Sequence, residues 1–159
     1  WLWGGDLKAI EYTITHGVRW SEDDETRFSQ MPPFEGALSD AQLDAVIDHV
    51  LSMSGKAQPN ASGAQTFADN CAACHGAQGK GGRDVGAPNL SDAIWLRGSD
   101  RADLKRQILK PRMGAMPAWG GRLDPVTIKM LAAYVHSLGG GEDFVEVAED
   151  PEVEVDEQP

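Results

Sequence analysis

The chain has few of the residues that several common kinds of site require. Its 159 residues include only two cysteines, and no second Cys/His pair follows at a similar spacing, so a structural zinc site of the usual four-ligand kind is disfavoured. No run of about 20 apolar residues predicts a membrane-spanning helix. No stripe of Lys and Arg predicts nucleic-acid binding, and no segment alternates apolar and polar residues as a half-buried strand does. The last of these absences favours an all-α protein, and 18 glycines with 9 prolines indicate long loops.

Basic residues are missing from one region in particular. Residues 141–159 hold nine Asp and Glu side chains and no Lys or Arg, which accounts for most of the formal net charge of −11. A segment of this composition cannot bury enough apolar surface to fold by itself. We therefore predict an acidic, disordered tail over residues 141–159, with attraction of a basic partner as the functional alternative.

The two cysteines stand in the sequence Cys71-Ala-Ala-Cys74-His75. This spacing is typical of covalent c-type haem attachment, in which the thiols add to the porphyrin vinyl groups as thioethers and the histidine binds iron as the proximal ligand. A redox-active dithiol is the alternative, although it would need a βαβ setting that the sequence does not predict. Because thioether attachment is chemistry of the bacterial periplasm, the motif also predicts that compartment.

Helix boundaries can be predicted from capping residues. Ser39 can cap a helix over residues 40–53, and Ser62 a helix leading to Cys71. Asp124, followed by Pro125, is typical of the start of a last helix. We expect the inward stripe of that last helix to be Ile128, Leu131, Val135 and Leu138.

An internal repeat organises these segments. Met31–Gly55 aligns without a gap on Met116–Gly140 at an offset of 85, with seven of 25 pairs identical, and Trp1–Gly4 aligns on Trp95–Gly98 at an offset of 94. The repeat predicts the C-terminal part of one cytochrome c-like domain over residues 1–55, a linker at 56–61 and a complete cytochrome c-like domain over 62–140. The attachment motif of the first domain would then precede Trp1, and we expect residues 1–55, with no haem tethered there, to be less ordered than 62–140.

The iron of an electron-transfer haem needs a sixth ligand, and a methionine thioether raises the reduction potential. Met113 and Met116 both lie in the appropriate loop, but only Met116 has a methionine, Met31, at the corresponding repeat position. We therefore predict Met116 as the distal ligand and Met31 as the distal ligand of a first haem, if one is present. The carbonyl of Pro88, or one near it, could accept a hydrogen bond from His75 and orient its ring.

The chain resembles the di-haem c-type subunit, subunit III, of cbb3-type cytochrome c oxidases over residues 1 to about 142. The stretches that carry the resemblance include Trp1-Leu-Trp-Gly-Gly, Asn70-Cys-Ala-Ala-Cys-His-Gly76, Gly86-Ala-Pro-Asn-Leu90 and Met116-Pro-Ala-Trp-Gly-Gly-Arg-Leu-Asp124.

This resemblance implies an electron-transfer subunit with no catalytic site of its own, anchored by an N-terminal helix with its haem domains on the periplasmic face of the inner membrane. It would pass electrons from a soluble donor cytochrome c towards an oxidase made of catalytic and mono-haem subunits. The resemblance assigns Cys71, Cys74, His75 and Met116 to the second of two haem c groups and Met31 to the first. The chain departs from the family by lacking the anchor helix and the first attachment motif, so one haem c is expected in this chain.

Three other functions remain open at this point. A soluble two-domain periplasmic cytochrome c would carry electrons without an oxidase partner. A haem peroxidase would need an open or displaceable distal position, and a dithiol redox protein would hold no haem.

Overall fold

A computed structural model describes residues 1–143, and these form six helices joined by long loops. Within this range regular strands are absent and only isolated β-bridges occur, so the predicted all-α class is confirmed there. The tail predicted over 141–159 lies outside the described residues from 144 onwards. The helices are α1 (Leu7–His16), α2 (Asp40–Met53), α3 (Ala61–Asn70), α4 (Ala72–His75), α5 (Arg101–Leu109) and α6 (Pro125–Ser137).

The capping residues set most of the helix starts. Ser39 and Gln42 form a capping box at α2, and Asp124 accepts hydrogen bonds from the first backbone amides of α6. Both predicted starts are confirmed. The predicted cap of α3 is wrong by two residues: the side chain of Asn60 accepts from Gly63 N at 3.0 Å, and Ser62 lies inside the helix with its hydroxyl donating to Asn60.

The apolar side chains form two separate cores. The larger core joins α2, α3 and α5, and the smaller one joins α1 and α6. Each core thus combines helices from both sides of residues 56–61, so the packing does not follow the repeat order. The α2 segment, which we expected to be the less ordered part, supplies most of the larger core. The buried residues of the larger core are Leu43, Val46, Ile47, Val50, Leu51, Phe67 and Leu104, and those of the smaller core are Ile10, Ile14, Ile128 and Ala132.

Helix α6 buries a different face from the predicted one. Ile128 is buried as expected, but Leu131 and Leu138 are 37% and 67% exposed, and Ala132 is buried in their place. The prediction was wrong for these two leucines because α6 packs only on α1 among the described helices. One neighbouring helix can cover only one side of α6.

Glu142 links the N-terminal segment and the last turn of α6 to the loop after α4. Its carboxylate accepts from Gly5 N at 2.9 Å and pairs with Arg83, while its carbonyl lies 3.0 Å from the Nε2 atom of His136. The hydrogen bond from Gly5 and, after it, the interaction with Arg83 lower the pKa of the Glu142 carboxyl group. Within the predicted tail, Glu142 is therefore a fixed residue. None of the helices described over residues 1–143 has the length and apolar content needed to cross a bilayer.

Candidate haem-attachment site

The two cysteines lie at a break between two helices. Cys71 ends α3 through a hydrogen bond from its amide to the carbonyl of Phe67 at 2.8 Å, and the four-residue helix α4 then carries Cys74 and His75. Residues three apart on a helical turn lie on the same face. Cys71 is half-buried against the larger core and Cys74 is exposed, and neither forms a disulfide. Both sulfur atoms are therefore available to one group bound along this turn.

A glycine-rich loop returns the chain to His75. Gly81 N donates to the carbonyl of His75 at 2.8 Å, and Gly82 and Ala87 exchange two backbone hydrogen bonds. At Gly81 φ is +83°, and a Cβ atom there would lie 2.4 Å from the Ala87 carbonyl oxygen, so only glycine fits. This turn sets Pro88 beside the imidazole.

The imidazole of His75 is held by one of its two nitrogens. Nδ1 donates to the carbonyl oxygen of Pro88 at 3.1 Å, which leaves Nε2 with its lone pair free for a metal. Burial lowers the pKa of His75, and the hydrogen bond to Pro88 acts in the opposite direction. A neutral imidazole is the form that binds a metal ion.

The electrostatics of Cys71 disfavour the dithiol alternative. Burial, assisted by the neighbouring Cys74, raises the pKa of the Cys71 thiol to about 11. Reactive redox cysteines have lowered pKa values, because the thiolate is the nucleophile. The buried thiol is thus unsuited to disulfide exchange, whereas thioether formation leaves a neutral sulfur that burial does not penalise.

One unsatisfied donor tests whether a haem fits here. The indole Nε1–H of Trp95 is buried without a hydrogen-bond partner, although Trp95 packs on the same core as Cys71. Buried donors are almost always paired, and a haem carboxylate is an acceptor of the right kind. With two thiols and an imidazole, the donor set fits a covalently bound haem. No cluster of three His, Cys, Asp or Glu side chains that could hold a metal ion occurs within residues 1–143.

The candidate distal ligands Met116 and Met31 lie in different surroundings. Met116 packs against the smaller core of α1 and α6, while Met31 is half-buried in the loop that precedes α2. Met113 is 40% exposed. The sequence did not identify the unpaired, buried indole N–H of Trp95, although the alignment of Trp95 with Trp1 marked the position as part of the repeat.

Comparison with known proteins gives a consistent family assignment. Residues 58–135 match the model of the family described as cytochrome C oxidase, cbb3-type, subunit III. The chain is 53% identical over 147 residues to the cbb3-type cytochrome c oxidase subunit CcoP of Cereibacter sphaeroides, covering 89% of this chain and 51% of the relative. It is 50% identical over 145 residues to the subunit FixP of Rhizobium meliloti, covering 89% and 50%. The chain spans about half the length of these curated relatives.

Proposed function

The chain belongs to the family of subunit III of cbb3-type cytochrome c oxidases, and on this basis we propose that it is an electron-transfer module of such an oxidase. It holds one haem c at Cys71, Cys74 and His75 and passes electrons from a soluble donor cytochrome c towards the catalytic subunit. The hydrogen bond from His75 to Pro88 carries the proposal, because it fixes the imidazole with its free nitrogen available for iron. The carrier without an oxidase partner is disfavoured, since the matched relatives are named as oxidase subunits.

Each residue of the site has a separate part in this function. Cys71 and Cys74 tether the haem, and His75 binds its iron. Pro88 keeps the imidazole in one orientation and tautomer, which limits the movement of the ligand when the charge on the metal changes. Bound haem supplies the one-electron chemistry. The distal ligand comes from one of the two Met-Pro loops, at Met31 or at Met116.

The assembly proposed for the longer protein follows from the same family membership. Periplasmic attachment of haem places this module on the periplasmic face of the inner membrane, next to the catalytic and mono-haem subunits. The repeat supports a second haem c in the longer protein, bound by a preceding domain to which residues 1–55 contribute.

Haem attachment is tested by exporting the chain to a periplasm that contains the haem-attachment machinery. We expect a haem signal that survives denaturing electrophoresis, and its loss in the double variant Cys71→Ala, Cys74→Ala. Export and folding of the variant are checked by immunoblot and circular dichroism. A wild-type chain that is exported without covalent haem would contradict the proposal.

The oxidase partner is tested with the reduced, haem-loaded chain. We expect the chain to be oxidised by oxygen in the presence of a cbb3-type complex lacking its own subunit III, at a rate that rises with the concentration of the complex. A rate no greater than with oxygen alone would leave the haem assignment intact and refute the oxidase partner.

A further inference from the structure

We propose that a pocket of three arginines is the surface through which this module binds the rest of the oxidase complex, and that the complex presents an acidic face to it. The proposal rests on the proposed function and adds the contact surface and the charge of the partner. The arginine pocket is lined by Arg97, Arg106 and Arg112 together with Asp103 and Gln107. It joins the loop before α5, one side of α5 and the loop after it.

The first copy of the repeat shows a different use of the same positions. There the guanidinium of Arg27 lies 4.3 Å from the ring centre of Tyr12 and 5.6 Å from that of Trp3. A cation over aromatic faces is attracted by the negative charge of the ring faces. In the first copy one cation is therefore held by two rings.

The second copy keeps the arginine and replaces both rings by further arginines. The pairs of corresponding residues are Trp3 with Arg97 and Tyr12 with Arg106, at the offset of 94, and Arg27 with Arg112, at the offset of 85. Three cations thus converge where the first copy places one cation between two aromatic side chains.

The backbone holds these positions in the same way in both copies. Asp6 caps α1, and its counterpart Asp100 caps α5. Gly4 and its counterpart Gly98 have φ values of +101° and +89°. In the second copy the side chain of Gln107 also bonds the backbone of Arg112, accepting from its N–H at 3.2 Å. The two copies therefore differ here in side chains and charge rather than in backbone path.

The positive charge of the pocket is only partly balanced. Among its lining residues only Asp103 is acidic, and Asp103 pairs with Arg106. Within residues 1–143, Arg97 and Arg112 form no ion pair. Burial and, after it, the charge of Arg97 lower the pKa of the nearby Arg19 guanidinium. Acidic side chains of a partner would relieve this repulsion on binding.

The exposure of the pocket favours a protein over other anions. Guanidinium groups bind carboxylates and phosphates through paired hydrogen bonds. All three arginines are exposed, so a small anion would keep most of its water, whereas small-molecule sites enclose most of their ligand. An anionic bilayer is disfavoured because the chain carries a net charge of −11. A protein surface can cover the arginines and exclude water from them.

Apolar side chains beside the arginines favour a stable contact. Ile94 and Leu96 precede Arg97 and are 74% and 77% exposed, and Met113, next to Arg112, is 40% exposed. Arginines beside apolar side chains are typical of protein interfaces, and permanent interfaces are the more apolar ones. A soluble donor would cover these side chains only during each encounter. The rest of the oxidase would keep them covered.

The test measures the affinity of the haem-loaded chain for a cbb3-type complex lacking its own subunit III, by surface plasmon resonance. We expect Arg97→Glu with Arg112→Glu to weaken binding at least about tenfold, because the new carboxylates would meet acidic side chains. Added salt should weaken the wild type and not this variant.

The matched control is Lys105→Glu with Lys129→Glu. It changes the net charge by the same amount at two exposed lysines that do not line the pocket. We expect its affinity for the complex to stay within about twofold of the wild type, since an exposed charge away from a contact has little effect. Circular dichroism and the haem spectrum check the fold of both variants.

A further variant removes the charge without reversing it. Arg97→Trp with Arg106→Tyr gives the second copy the residues that surround Arg27 in the first. We expect the two rings to enclose Arg112, the fold to be kept, and the affinity for the complex to fall by about tenfold.

Unchanged binding in Arg97→Glu with Arg112→Glu, or an equal loss in the lysine control, would overturn the inference. Three other results would also overturn it: a loss of binding only towards a soluble donor cytochrome c, a loss only towards phosphatidylglycerol vesicles, or shifts of the Arg97 and Arg112 side-chain NMR signals when residues 144–159 are removed. A wild-type chain that takes up haem but does not bind the complex would instead refute the proposed oxidase partner, so the two failures are distinguishable.

Discussion

Helices α2 and α6 correspond residue by residue at an offset of 85, yet their surroundings differ. Val46 on α2 is 1% exposed, whereas its counterpart Leu131 on α6 is 37% exposed. Ala45 is 8% exposed and its counterpart Met130 is 67% exposed. Both helices therefore keep apolar residues on the same face, and only in α2 is that face covered.

The difference comes from α3. Phe67 of α3 lies with its ring 5.4 Å from that of His49 on α2, and Tyr134, the counterpart of His49, is 61% exposed. Within residues 1–143, α6 has no helix in the place that α3 takes on α2. A repeat thus preserves which face of a helix is apolar, while the neighbour that covers that face has to be supplied by another segment.

The largest effect is expected when the aromatic ring is removed at the covered face of α2, by Phe67→Ala, and at the uncovered face of α6, by Tyr134→Ala. Phe67→Ala should lower the free energy of unfolding by about 3–5 kcal/mol, because Phe67 is 2% exposed and its removal leaves a cavity. Tyr134→Ala, at the exposed position on α6, should change it by no more than about 0.5 kcal/mol. Urea unfolding of the haem-loaded variants, followed by circular dichroism, measures both. A cost for Tyr134→Ala close to that for Phe67→Ala would show that the α6 face is covered too.

A smaller effect is expected where α2 and α3 approach most closely. In an open helix Gly→Ala stabilises by about 1 kcal/mol, but Gly63→Ala should destabilise by about 1–3 kcal/mol. The added Cβ would lie 2.0 Å from the carbonyl oxygen of Ala45 and 2.9 Å from Cβ of His49. The shift in the urea midpoint measures the change.

Gly121→Ala is the matched control for this substitution. Gly121 lies in the loop before α6, and a Cβ atom added to it would meet no other atom within 4 Å, so its replacement should not destabilise. A gain in stability for Gly63→Ala would mean that the two helices lie further apart than the contact at Ala45 implies.

These contacts explain which features the sequence could predict. Ser39 and Asp124 predicted the starts of α2 and α6 because capping depends on neighbours within three residues. The attachment turn was likewise readable from Cys71 to His75. The sequence did not predict which helix packs on which. The apolar stripes of α2 and α6 are alike, so that either helix could cover α3. Asp44 and Asp48 of α2 lie beside Arg101 of α5, and Ala45 leaves room for the close approach of Gly63. The corresponding residues of α6 are Lys129, Ala133 and Met130, which fit neither neighbour. This preference for α2 can be recognised only once Arg101 and Gly63 are known to face these positions.

The smallest expected difference lies at the two helix caps and depends on pH. Asp124 accepts from the side chain and backbone of Thr127, and from Val126 N at 3.0 Å, and these bonds lower the pKa of Asp124. A lowered pKa in the folded state means that the stabilisation is complete above the ordinary value of 3.8 and is lost as the pH falls through the folded value. Ser39, the corresponding cap of α2, does not titrate. Acidification should therefore loosen the first turn of α6 before that of α2.

The amide resonances of Thr127 and Gln42 report on this difference, since each amide donates to the cap of its own helix. We expect the Thr127 signal to move with an acidic midpoint below 3.8 and the Gln42 signal to lack that step. Asp124→Asn should abolish the step while retaining a cap, because asparagine accepts the same backbone hydrogen bonds without titrating. A step of the same midpoint at Gln42, or one that survives in Asp124→Asn, would show that the two helices respond to acid as one body rather than through their own caps.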